Sequence, residues 1–575
     1  RVKPRSIGGN VTWKKQHSLA RGENRIALGV EYNRGYWQAD RTRNGGLTWL
    51  PYVNPATGTV DPTDAPSWLE VASEWGGEMH VNSDVENLGV FLQDYLTLVP
   101  NVTITPGLRF GRWSGWLTPA GSDESRFLAA RDQAIEPRIG IVWDVTRRND
   151  FVVKAHWGQF HQAMNSVFFD RAAGGNVYTN QRFYFQGPIL ESSRRVYTPA
   201  ERDAKLAGGG FSTDVFSATY QESVLNEEGP VENYKQPYIQ QAVLAIEKRF
   251  GPRWKAELSY TNRINKNIVG LVDRNLETNY SVLHDVVVRD RVTAETVYDQ
   301  YGDPLILESV YVSNRDLIAD LIRRRDGLFA QPPTPGFTFA DIDRLTWDPD
   351  IALTTVEGGK RTFNQLSATV RTEQQHWNAS TSLTYTRLRG NIAGLNGFGT
   401  TGNEFTAGAA VRPNESINFD GYLPDFPSFE SKTWISGELL YGIRGGALLT
   451  TSLGNYFAPS FQIGPRFRYQ ASNLTPLDDA LFDQVRGQTI LLEERGARKY
   501  QQRINLDLRA GKEFATRGTK WVVTADLFNA TASDAIIERN LTINDQVNTD
   551  PTSIFAAPRR RVNPTALQLG FRLEF

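Results

Sequence analysis

His156 and His161 are the two histidines whose spacing first suggests chemistry. On an extended strand they fall on opposite faces, so they can share one ligand only if the strand bends or ends between them. Asp341, Asp343, Asp348 and Asp350, in DIDRLTWDPD, offer the hard oxygen donors that calcium takes. Their spacing is not that of an EF-hand, and a solvated acidic loop explains them more simply. The chain has no cysteine, which removes disulfides, thiolate metal sites and a cysteine nucleophile. GxSxG, HExxH and GxxxxGK are absent, and the AGGG of 207–210 precedes no clear helix. We therefore assign no catalytic residue, no metal site and no cofactor, and expect a protein that is not an enzyme.

Aromatic residues offer recognition instead. Trp37, Trp49, Trp68, Trp75, Trp113 and Trp116 crowd around the first two long connections, and Tyr178, Phe183, Tyr184 and Phe185 form a second group. Flat rings of this kind can stack on an apolar or sugar-like ligand. The plainer role, packing long loops together or forming a girdle, weighs more, because ordered long loops need small cores of their own.

Behind these residues lies a pattern of period two, the signature of two-faced strands. Leu567, Leu569, Phe571, Leu573 and Phe575 alternate with Gln568, Gly570, Arg572 and Glu574. Ile504, Leu506 and Leu508 alternate with Arg503, Asn505, Asp507 and Arg509, and Leu108 and Phe110 with Gly107 and Arg109. About fifteen such segments are found. They lie near 5–16, 24–36, 85–99, 101–113, 137–146, 150–160, 236–249 and 254–266, then 362–373, 376–388, 431–441, 447–456, 500–513, 519–530 and 565–575.

Their connections alternate between short and long. Short turns fall at Pro100, Arg147 to Asn149, Gly251 and Pro252, Gln374 and Gln375, Gly442 to Gly446, and Ala515 to Gly518. Long connections span 37–84, 114–136, 161–235, 267–361, 389–430, 457–499 and 531–564. A soluble sandwich could share the alternation, but short turns at one end and long loops at the other belong to an outer-membrane barrel. Phe151, Trp254, Trp377 and Trp521 begin strands on the apolar parity, and Trp157, Tyr260 and Tyr385 follow on that parity, as two aromatic girdles would. No apolar run is long enough for a membrane helix, which leaves strands as the means of crossing.

The 575 residues carry 63 Lys or Arg against 64 Asp or Glu, a net charge of −1, so no nucleic-acid partner is implied. The polar parity is the expected lumen face, with Arg109, Arg138, Asp144, Arg371, Arg503, Asp507, Arg509 and Arg572 as its main charged members. Lys154, Lys255, Glu257, Asp526 and Glu574 join them, and the mixed signs do not make a selectivity ring.

Several stretches resemble the barrel of large TonB-dependent outer-membrane receptors, especially the Oar-like group with a carboxypeptidase-regulatory-like domain. They are FLQDYLTLVPNVTITPGLRF, IEPRIGIVWDV with HWGQFH, KQPYIQQAVLAIEKRF with AELSYTNR, and FNQLSATVRTEQQHWNASTSLTYTR. RINLDLRAGKEF, VVTADLFNA and the closing LGFRLEF complete the set. The resemblance implies an all-β transmembrane antiparallel barrel in the bacterial outer membrane, of which residues 1–575 are the C-terminal portion. Such barrels have roughly 22 strands, so about seven strands, the plug and the TonB box would lie upstream. It further implies Phe575 as a C-terminal signal for the barrel-assembly machinery, coupling to TonB–ExbB–ExbD through a plug, and capture of a large solute by the extracellular loops.

The expected function is import, or assisted export, of that solute across the outer membrane. A passive porin-like barrel or a structural or adhesive one shares the strands and loops. A soluble secreted β-enzyme would need blade motifs and a carboxylate pair in a cleft, and neither is found.

Overall fold

A computed structural model describes residues 2–19, 22–41, 47–50, 69–75, 79–118, 126–164, 178–186, 219–224, 231–299, 302–314, 351–391, 413–464, 466–477, 481–482, 485–516, 518–544 and 555–574. Fifteen strands form one antiparallel wall: β1 (Val2–Leu19), β2 (Gly22–Arg41), β3 (Met79–Val99), β4 (Val102–Thr118), β5 (Phe127–Asp144), β6 (Phe151–His161), β7 (Tyr238–Phe250) and β8 (Trp254–Lys266). It continues through β9 (Arg361–Glu373), β10 (Trp377–Gly390), β11 (Phe429–Glu438), β12 (Ile443–Ser452), β13 (Arg503–Thr516), β14 (Thr519–Phe528) and β15 (Ala566–Glu574). Each strand pairs with the next in sequence, and a short strand, Gly421–Tyr422, adds to β10. All fifteen segments read from the sequence are there, in the expected order and direction.

The wall is built inside out for a water-soluble sheet. Val11, Ile135, Leu244, Leu258, Leu569 and Phe571 stand exposed on one face, with Leu569 at 73% and Phe571 at 61%. Trp157, Trp254, Tyr260, Trp377, Tyr385 and Trp521 share that outward exposure, as the two girdles require. Most of the wall's charged residues occupy the other parity. In water, leaving a Leu, Ile or Phe exposed forgoes about 1.5–3 kcal/mol each, and a patch this extensive is far beyond what soluble monomers show.

Several boundaries differ from the expectation, β3 for one beginning at Met79 within the expected connection 37–84. The expected connection 114–136 is mostly strand, because β4 runs to Thr118 and β5 begins at Phe127. Pro137 reads in sequence as a strand start, yet it sits mid-strand opposite Leu108. The turn expected at Gly442 to Gly446 lies at 439–442, with Tyr441 at φ 61° and Gly442 at φ 69°. Gly445 and Gly446 belong to β12, opposite Ala510 and Arg509. Gly445 is needed for space rather than for turning, since a Cβ there would lie 2.7 Å from Leu439 Cδ1. Likewise β13 extends through Ala515 to Thr516, and β14 begins at Thr519.

The long connections carry their own structure. Tyr280–Asp290 lies between Ile306–Ser313 and Phe467–Gln470, while Ser460–Gln462 joins Thr489–Leu491 and Thr542–Ile543. Val288, Val310, Phe461, Ile463 and Val485, each 0% exposed, make this the driest core among the described residues. A second small sheet runs Thr219–Val224, Tyr178–Gln186, Leu69–Trp75, Leu47–Leu50.

Candidate functional site

Glu136 is the most deeply buried acid of the wall, 1% exposed on the inner parity of β5. Its Oε1 accepts from Arg109 Nη1 at 2.8 Å and its Oε2 from Arg138 Nη2 at 2.8 Å. Arg109 also reaches Glu31 on β2, donating from Nε to Oε1 at 2.8 Å. Two guanidinium groups thus bind two carboxylates across β2, β4 and β5, and the charges balance. Glu136 at its centre is 1% exposed, and a charge buried so deeply is tolerated only when it is partnered.

The network forms one side of a concave recess of about 870 Å³, to which strands from β1 to β6 contribute Asn10, Phe91, Trp113, His156, Phe160 and His161. Glycine makes room for it. A Cβ on Gly111 would lie 2.5 Å from the Trp113 ring, so that ring folds over bare backbone. His161 is packed between Trp113, with centroids 4.9 Å apart, and Tyr238 at 4.8 Å. Its Nδ1 lies 3.2 Å from Glu136 Oε1 without an aligned hydrogen bond. His156 stacks on Phe160 at 5.9 Å. Strand β6 ends at His161, so the two histidines do line one recess despite their opposite parity. Among the described residues no group of three or more His, Asp or Glu is placed to hold a metal.

Of the other inner-parity residues, Arg371 contacts Glu373 at 2.5 Å and Arg509 faces Asp526 at 3.6 Å. Arg572 pairs with Glu574, and Arg503 donates to Ser452 Oγ at 3.4 Å. Asp507 accepts from the Asn529 N–H at 2.9 Å. Asp144 is the last residue of β5, and its side chain accepts from the Asn149 N–H of the following turn at 2.9 Å. Glu247 bridges Lys154 and Lys255, the latter at 2.9 Å; Glu257 lies 4.0 Å from Lys255. Glu31, Glu136 and Glu247 were absent from the sequence reading. Glu136 falls within the connection expected over 114–136, and only parity counted back through Pro137 reaches it.

The aromatic candidates divide. Trp113 lies in the recess, on a strand rather than in a loop. Trp116 stands on the opposite parity of β4, under the Arg126 guanidinium at 4.7 Å, and does not face the recess. Trp37 falls on β2, Trp49 on Leu47–Leu50, Trp75 on Leu69–Trp75, and Tyr178 and Tyr184 on Tyr178–Gln186. Backbone pairing brings Val71 opposite Tyr184 and Trp75 opposite Asn180, joining the two aromatic groups in one small sheet. Trp68, the acidic stretch from Asp341 to Asp350, 207–210 and Phe575 lie outside the described residues.

No family model and no curated protein matches this chain. Solved structures do. The outer membrane transporter YddB from Escherichia coli is 12% identical with a TM-score of 0.49, over 99% of this chain and 54% of that one. The siderophore receptor PiuA from Acinetobacter baumannii is 10% identical with a TM-score of 0.44, over 100% and 56%. The ferric-catecholate import receptor Fiu from K12 E. coli is 10% identical with a TM-score of 0.41, over 100% and 55%. The chain spans about half the length of these solved proteins.

Chemically, the recess offers mixed charge, hydrogen-bond donors and aromatic faces. Both oxygens of Glu136 are engaged by arginine, so it is not poised as a proton-transfer group. The arrangement suits contact with a polar solute or a polar protein surface.

Proposed function

We propose that the chain is the C-terminal barrel portion of an outer-membrane receptor of the TonB-dependent, Oar-like kind, which moves a large solute across the bacterial outer membrane. The observation that carries this reading is the inverted wall: fifteen consecutive antiparallel strands with apolar side chains outside and paired charges inside. Only hydrocarbon makes that arrangement favourable, and connections that alternate between short and long place the loops on the far side from the turns.

On this reading the extracellular connections capture the solute, and the recess around Glu136 is wall against which a plug rests. The plug, its TonB box and about seven further strands lie upstream, and TonB–ExbB–ExbD supplies the energy. In support, β1 pairs only with β2 and β15 only with β14 among the described residues, so each has an edge for another strand.

The test uses the full coding region. The protein should fractionate with the outer membrane, migrate faster unheated than boiled on gels, and bind the periplasmic domain of TonB. A barrel that never binds TonB would be a passive pore. A periplasmic or secreted soluble product would overturn the membrane reading itself.

A further inference from the structure

On the outward face, strands β10 to β15 enclose an apolar groove of about 680 Å³. Register explains its depth: Gly437, Gly445, Ala510 and Ala525 lie opposite one another in turn across four strands. Trp377 rises at one end, 40% exposed, and Leu508 and Leu567 stand along the next row. Leu439, from the turn before β12, packs over Gly445 and forms the lower lip. Of the groove's residues only Glu438 and Arg509 carry charge, and both stand on the inward parity of their strands.

One cation stands beside this groove on the outward parity. Lys512 follows Ala510 by two residues, opposite Ile443, with its Nζ 5.1 Å from the Phe514 ring centroid. Trp521 and Phe571, in edge contact at 5.4 Å, hold the same level of the outer face. No carboxylate lies within 4.0 Å of Lys512 among the described residues. The nearby charges on neighbouring positions, Glu513, Lys520 and Arg444, take the inward parity, and Glu513 is held by Lys520 at 2.8 Å. Lys248, also on the outward parity near a short turn, is instead 3.5 Å from Asp150.

An unpaired cation at the aromatic band, with an apolar groove running from it toward the middle of the belt, has the polarity of a phospholipid in the leaflet on the short-turn side. We propose that the groove seats one acyl chain of an anionic phospholipid whose phosphate is held by Lys512. The neighbouring turn fits this depth: Leu440 is 78% and Tyr441 85% exposed, which suits burial in the headgroup and acyl boundary. The inference rests on the outer-membrane reading above and goes beyond it by naming a bound lipid.

The test is native mass spectrometry of the full-length protein, delipidated in detergent and titrated with phosphatidylglycerol or phosphatidylcholine. One phosphatidylglycerol should be retained, with a preference of about five-fold over phosphatidylcholine, as one lysine near an anionic lipid supplies. Lys512→Gln should remove the preference and leave chain binding. Filling the groove with Ala510→Leu and Ala525→Leu should abolish the retained lipid, while the variant keeps heat-modifiable migration. Unchanged lipid retention in the filled variant overturns the proposal, and so does a dimer peak that filling abolishes, because a second copy would then be the occupant. Should Ala510→Leu with Ala525→Leu fail to fold, the loss of preference in Lys512→Gln decides alone. A protein that is neither heat-modifiable nor found in the outer membrane fails the membrane reading; a heat-modifiable barrel without retained lipid fails this proposal only.

Discussion

Glu31 on β2 and Arg109 on β4 sit on strands separated by β3, yet their side chains meet over Gly89 at 2.8 Å from Arg109 Nε to Glu31 Oε1. A Cβ on Gly89 would lie 2.5 Å from Glu31 Oε1 and 2.7 Å from Arg109 Nη2. These atoms and Glu31 Cγ, also 2.7 Å away, belong to flexible side chains, so Gly89→Ala should fold but part the pair, costing about 1 kcal/mol. In a double-mutant cycle, the coupling between Glu31→Gln and Arg109→Gln should vanish in the Gly89→Ala background. Persistent coupling there would refute the role given to this glycine.

Glu136 binds two arginines and is almost wholly buried. Glu136→Gln leaves both guanidinium groups without their shared counter-charge and should destabilise the wall by about 3 kcal/mol. Urea unfolding of the protein folded into vesicles measures this. A change below about 0.5 kcal/mol, the usual surface effect, would mean that solvent replaces the carboxylate.

Leu244 stands mid-strand on β7, 48% exposed on the outward face. Leu244→Arg should cost about 2–4 kcal/mol in a bilayer, whereas Phe250→Arg, at the short-turn end, should cost about 0–1. In a water-soluble sheet both changes to exposed positions would be nearly neutral. Folding yield into lipid vesicles, read by heat-modifiable migration, separates the two cases.

Asp290 anchors the loop core, accepting from the Val292 N–H at 2.8 Å, the Thr293 N–H at 3.0 Å and Arg466 Nε at 2.9 Å. Burial opposes its charge, but the Thr293 N–H, the Arg466 guanidinium and the Val292 N–H outweigh it and hold the carboxyl below its usual range. A depressed folded value means the stabilisation is complete above the unfolded carboxyl value of about 3.9 and is lost as pH falls through the folded one. Hydrogen exchange in 280–313 and 466–470 should therefore rise at acid pH, and Asp290→Asn should show the raised exchange already at pH 7. Equal protection in the variant at pH 7 would exclude this role.

Phe575 continues the parity of Leu569 and Phe571 at the chain's end. If, as we propose, Phe575 is a signal for barrel assembly, its removal should lower heat-modifiable protein in the outer membrane several-fold, with unfolded chain accumulating in the periplasm. Unchanged assembly would withdraw that assignment.

The alternation of Leu567 to Phe575 and of Arg503 to Leu508 determined the strands, their direction and their number, because a period of two is local and each residue's face follows from its neighbour's. The mixed charges of the polar parity were legible for the same reason. The Glu31, Arg109, Glu136 cluster was not, since its members are 78 and 27 positions apart and only the register of β2 to β5 aligns them. Nor was the use of Gly445 and Gly446 as strand rather than turn, where Leu439 packs across Gly445. The joint core of the long connections likewise needed tertiary structure. Phe461 and Val288 meet there from segments 173 residues apart, and no local periodicity records a contact that only chain closure creates.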